Sequence, residues 1–141
     1  MQLEWAMLAN HVEVVNNAAY VHGGGIDTVQ VQQLPAAFVG GILIRFSLHP
    51  TEIQRPHDIE IRFATEDGQT IAQIKGTLQV GPNPDLPTGW LYHAMMAFNF
   101  GGLPLPREGL YSVDILAAGN HLKSLPLRVK VLAAPQQPHS P

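Results

Sequence analysis

The chain has 141 residues, no cysteine, and only 8 basic against 11 acidic side chains, a formal net charge of −3. Charged residues make up 13% of it, against about 25% in an ordinary soluble domain. That balance excludes a coiled coil, charge-driven disorder and a basic nucleic-acid-binding surface, and the missing thiols exclude a disulfide staple, a cysteine nucleophile and a zinc–thiolate centre.

Glycine (13) and proline (12) are abundant, and they fall in clusters that cut the chain into short segments. In chain order, strands are expected near 3–9, 18–23, 26–32, 37–48, 57–65, 70–80, 90–100, 109–117 and 122–132. Several alternate with period 2. Ile42, Ile44, Phe46 and Leu48 share one face; so do Ile59, Ile61 and Phe63, then Ala72, Ile74 and Leu78, then Tyr111, Val113 and Ile115, then Leu127, Val129 and Val131. Such alternation marks strands with one dry and one wet face, as in antiparallel sheets. Asn16-Asn17, Asp67-Gly68 and Gly119-Asn120 are turn signals. Pro50 opens one helical turn that stops before Pro56. The expected architecture is a single all-β domain over 1–132, an antiparallel two-sheet β-sandwich, immunoglobulin-like, with about eight strands. A disordered proline-rich tail is expected over 133–141.

The order Ala9-Asn10, Tyr20-Val21-His22-Gly23-Gly24-Gly25, a long apolar strand, Glu52-Ile53-Gln54-Arg55-Pro56-His57, the Asp67-Gly68 turn and Gly109-Leu110-Tyr111 resembles a family of small uncharacterised bacterial β-sandwich proteins, catalogued as a domain of unknown function. The resemblance spans most of 1–132. It implies a fold and brings no activity, cofactor or catalytic residue.

The residues that could carry chemistry each have a plainer reading. His22-Gly23-Gly24-Gly25 matches the glycine-rich oxyanion loop of lipases, but that reading needs a G-x-S-x-G elbow, and Ser47, Ser112, Ser124 and Ser140 lie in no such setting. A turn that uses positive φ accounts for the glycines. The seven histidines, at 11, 22, 49, 57, 93, 121 and 139, show no H-x-H or H-x-x-x-H spacing. Their densest grouping is His49, Glu52, His57, Asp58 and Glu60. A metal-dependent enzyme would need His49, Glu52 and His57 to meet. Asp58 and Glu60 lie on one strand face about 7 Å apart, within the span of a glycosidase pair, yet two acids on a wet face are ordinary. No cofactor, metal or catalytic residue is therefore expected.

The uncharged run Trp90 to Phe100 is the most unusual segment. Both its faces are apolar, as in a strand whose outer face is partly covered, or as at a subunit interface. Trp90, Tyr92, His93, Met95 and Phe98 are the candidate interface. The expected function is a cytoplasmic, non-catalytic binding or assembly module that associates with itself or another protein, with no nucleic-acid or membrane partner. The alternative is a domain binding a small ligand or carbohydrate through the loops around His22–Gly25, Pro50–His57 and Pro82–Trp90, with His22, Gly24 and His57 as candidate ligand residues.

Overall fold

A computed structural model of the chain describes residues 1–132; the 133–141 tail, with His139, lies outside the described residues. Ten strands form: β1 (Gln2–Ala9), β2 (His11–Val15), β3 (Ala18–His22), β4 (Thr28–Val31), β5 (Ala36–Leu48), β6 (His57–Thr65), β7 (Thr70–Leu78), β8 (Tyr92–Leu105), β9 (Gly109–Ala117) and β10 (Asn120–Val131). One 3₁₀ turn among the described residues, Pro50–Glu52, lies between β5 and β6. No helix of the described residues is long and apolar enough to cross a membrane.

The strands form three sheets, ordered β1-β5-β8, β4-β10-β9-β6-β7 and β2-β3. The first two face each other across one core. Leu8, Ile42, Ile44, Phe46 and Phe100 from one sheet meet Ile59, Ile61, Phe63, Val113, Ile115 and Leu127 from the other. These are the dry positions of the period-2 pattern, and the registers place them in rows. Leu3, Phe46 and Ala94 form one row, Ala6, Ile44 and Met96 the next, then Leu8, Ile42 and Phe98. Phe46 and Phe63 are fully buried, each contributing about 1.5–3 kcal/mol by leaving water.

Three features depart from expectation. The strand count is ten in three sheets, not about eight in two. The additional strand, β2, pairs with β3 around Asn16-Asn17, both at positive φ, as a tight hairpin turn requires. One pair, β4 with β10, is parallel, so the second sheet is mixed. Parallel neighbours need a long crossover, and here nearly the whole domain lies between the two strands. Finally, β8 begins at Tyr92 and runs to Leu105, leaving Trp90 in the preceding loop.

The β2–β3 hairpin lies over the outer face of the β1-β5-β8 sheet. Val12, Ala9 and Leu43 form a second, small core there, with Trp5, Met7, Val14, Ala19, Met95 and Ala97 packed against it. The Asn99 side chain fixes this layer. Its Oδ1 accepts from the Val12 amide at 3.0 Å and its Nδ2 donates to the Val12 carbonyl at 2.8 Å. Gly41 leaves room for the clamp, because a Cβ there would sit 2.6 Å from Asn99 Oδ1 and 2.9 Å from the Phe98 carbonyl oxygen.

Candidate functional site

The five interface candidates are divided by the pleat of β8. Tyr92 and Phe98 point into the main core, and Met95 packs into the small core under the hairpin. His93 stands on the outer face, its Nε2 2.9 Å from Glu4 Oε1, while Arg45 Nε lies 3.2 Å from the other Glu4 oxygen. Trp90 is 61% exposed and its neighbour Leu91 43%. The apolar character of both faces of this segment thus has two internal causes, one core on each side. What stays open is the strand's edge, since β8 ends its sheet. No Asp, Glu, Lys or Arg occurs along its 14 residues.

The three ligand loops do not converge. Residues 49–56 and 79–91 share one end of the domain, where Leu48 pairs with Tyr92 and His57 with Leu78. The Gln54 amide donates to the Val80 carbonyl there at 2.9 Å. His22, Gly23, Gly24 and Gly25 lie beside the other end of β1, where Gly25 and Ile26 both donate to the Leu8 carbonyl. Along β5 that is the seven-residue step from Leu48 towards Gly41, about 23 Å of strand. A Cβ on Gly23 or Gly24 would meet Asn10, or Val21 and Met7, while Gly25 has open space and a positive φ, so the glycine run is an exposed turn shaped by its backbone.

At the first end, His49, Glu52 and His57 do come near each other, with His49 Nδ1, both Glu52 oxygens and His57 Nε2 engaged in local contacts. His49 caps the 3₁₀ turn, its Nδ1 accepting from the Thr51 amide at 3.3 Å, while Glu52 Oε1 accepts from the His49 amide at 2.9 Å. The other Glu52 oxygen pairs with the Met1 ammonium. His57 Nε2 lies 2.6 Å from the Glu52 carbonyl oxygen. The Met1 ammonium, then the His49 amide, hold the Glu52 carboxyl below its usual range. No group of three or more metal-ligating side chains occurs among the described residues.

Two groupings were not visible as sequence motifs. On the outer face of β9 and β10, Ser124 Oγ donates to Asp114 Oδ1 at 2.6 Å, and His121 Nε2 lies 2.7 Å from the same hydroxyl. These are the residue types of a hydrolase triad in another order. The hydroxyl sits between acid and imidazole and gives its proton to the acid, so the acid does not orient the histidine as a triad requires. On the hairpin, His11 and His22 are directly opposed, with ring centroids 6.4 Å apart. The turn at Asn16-Asn17 places 11 against 22, whereas the turn at Ala118-Gly119 alone would oppose Ser124 to Val113, and the bulge between His121 and Lys123 moves it opposite Asp114.

Two surface depressions of about 390 and 400 Å³ lie away from the candidate loops. One is bordered by Glu66, Asp67, Arg107 and Leu110, the other by Asp58, Glu60, Lys75 and Thr77. Their charged rims differ from the apolar lining of most small-molecule sites. In the first, Arg107 lies 3.2 Å from Asp67. Beside it the Tyr111 hydroxyl donates to the Arg107 carbonyl at 2.5 Å and accepts from the Arg107 amide at 3.2 Å, tying the start of β9 to the turn before it. Thr65, then the backbone of Asp67 itself, with Arg107 assisting, hold the Asp67 carboxyl below its usual range.

No curated protein matches the chain. A family model matches residues 4–130, almost the whole of the described structure. The chain accordingly belongs to the family of unknown function DUF6941.

Proposed function

We propose that the domain is a non-catalytic binding or assembly module that self-associates through the open edge of β8. The observation that carries this reading is an edge strand of 14 residues without a charged Asp, Glu, Lys or Arg. Natural sheets guard exposed edges with charge, proline, bulges, brevity or cover. β8 has such guards only past Phe100, at the irregular Gly101-Gly102 step and Pro104, so Tyr92 to Phe100 is its open part. The other edges of the two large sheets are better guarded. β4 is four residues long, β7 carries Lys75, and the 25–26 segment bonds to Leu8 on β1. Trp90 and Leu91 stand exposed just before β8 and supply apolar anchors of the kind enriched at interfaces. Light scattering over a concentration series tests this. The expected outcome is a dimer or larger species that the Trp90→Lys, Leu91→Lys double variant returns to monomer. A wild-type chain that stays monomeric at millimolar concentration overturns it.

The sandwich is further read as immunoglobulin-like. With the hairpin and β4 set aside, seven strands remain. The first, second and fifth form one sheet, and the third, fourth, sixth and seventh the other. Constant-type immunoglobulin sandwiches set the first, second, fourth and fifth strands against the third, sixth and seventh, so six of the seven agree here and the fourth lies on the opposite sheet; the Tyr111–Arg107 contact at the start of the penultimate strand matches their tyrosine corner. The cysteine-free composition supports a cytoplasmic setting, where thiols gain nothing as disulfides.

A second reading rests on one observation, the exposure of Trp90 beside the joined 49–56 and 79–91 loops. A small ligand or carbohydrate stacking there would quench tryptophan fluorescence on titration. Unchanged emission across a panel of oligosaccharides removes that reading.

A further inference from the structure

We propose that His11 and His22 form a surface site for a divalent transition-metal ion of the copper, nickel or zinc class. The two residues face each other across β2 and β3, and both are exposed on the side of the hairpin away from the domain. Their ring centroids are 6.4 Å apart with planes tilted by 48°. With metal–nitrogen bonds of about 2.0–2.1 Å, two imidazoles sharing one ion in cis-square or tetrahedral geometry have centroids about 4.5–5.5 Å apart. The pair therefore has to close by about 1–2 Å, which rotation of both exposed side chains about their χ angles supplies.

The folded hairpin holds the pair in a fixed register, so both rings are presented together on one face. Asn16 and Asn17 set the turn. Val12, fully buried, fixes which face of β2 points outward, because a slip by one residue would bury both histidines. Asn99 holds Val12 by both its backbone groups. Neither imidazole is tied into an acid, unlike His93 with Glu4 or His121 with its Ser124–Asp114 partners. Water fills the remaining positions, since no third metal-ligating side chain stands within reach among the described residues. Imidazole pairs favour copper, nickel and zinc, whereas magnesium and calcium take oxygen ligands.

The test is titration of the full chain with copper(II), nickel(II), zinc(II) and magnesium(II), read by imidazole proton shifts for zinc and by electron paramagnetic resonance for copper. The expected result is one ion per chain, two nitrogen couplings in the copper spectrum, and an affinity order of copper over nickel over magnesium. His11→Gln and His22→Gln, both at exposed positions that leave the hairpin backbone untouched, should each weaken copper binding at least about tenfold, the smallest loss seen when even an outer partner of a metal ligand is removed. Unchanged melting of the metal-free variants separates this from misfolding. The proposal is overturned if copper binds with equal affinity to the double variant, if His121→Ala removes the signal instead, or if magnesium competes equally. Single-nitrogen coupling would also sink it.

Discussion

At the scale of single residues, the hairpin's attachment turns on Asn99. A side-chain amide carries one acceptor and a pair of donors, and Asn99 spends both kinds on the backbone of Val12. Asn99→Ala leaves the Val12 amide and carbonyl without those partners at a buried position, a loss of about 1–3 kcal/mol. Gly41→Ala attacks the same contact from the other side, since the new methyl has fixed backbone, the Phe98 carbonyl, at 2.9 Å and cannot be accommodated by moving Asn99 alone. Overpacking of this kind costs about 1–3 kcal/mol. Chemical denaturation should show both losses. In the double variant they should fall short of the sum, because the two residues share one contact. Full additivity would mean that Gly41 matters for another reason.

At the scale of elements, the 3₁₀ turn after β5 ties stability to pH. Glu52 is held below its ordinary value of 4.5 by the Met1 ammonium and the His49 amide. A carboxyl whose folded value is lower than its unfolded one binds protons more readily when unfolded. Its stabilising contribution is therefore complete above the ordinary glutamate range and is lost as pH falls through the lower folded value. Glu52→Gln should flatten the stability curve between those limits, while leaving neutral-pH unfolding lowered by a constant amount. A variant whose acid slope matches the parent would show that Glu52 is not the group responsible. Elements such as β6 and β9 were legible from sequence because each has one dry face and one wetter face, so Ile61 and Val113 repeat at period 2 with their neighbours. β8 resisted a single assignment because Met96 and Met95 enter different cores; alternation cannot separate two dry faces. The Asn16-Asn17 turn was readable, but the cover it places over Met7 and Leu43 was not, since nothing local states which sheet a hairpin will lie on. The opposed histidines were hidden for a related reason, because an eleven-residue separation matches no linear ligand motif and only the register brings them together.

At the scale of the whole molecule, the two cores differ greatly in extent. The main one unites buried side chains from both large sheets, from Leu8 through Val129. The second has three fully enclosed members, Ala9, Val12 and Leu43, and its outer layer is a two-stranded hairpin, which is at best marginal alone. Local stability follows buried apolar contact, so regions with less of it open at lower free energy than the global transition. The hairpin should then behave as a separate, weaker unit. Native-state hydrogen exchange should show the Glu13, Ala18 and Tyr20 amides, in the bonded pairs of the hairpin, opening well below the free energy that protects Ile44, Ile61 and Val113. Asn99→Ala should lower the hairpin's opening free energy by the same loss that denaturation reads. If hairpin and main-core amides exchange together at the global value in both proteins, the domain unfolds as one unit and the small core is merely its edge. A separate opening has a consequence for association, because it would uncover Met7, Leu43, Met95 and Ala97 on the sheet that ends in the uncharged edge of β8. Conditions that loosen the hairpin should then strengthen self-association, and metal held across His11 and His22 should oppose it.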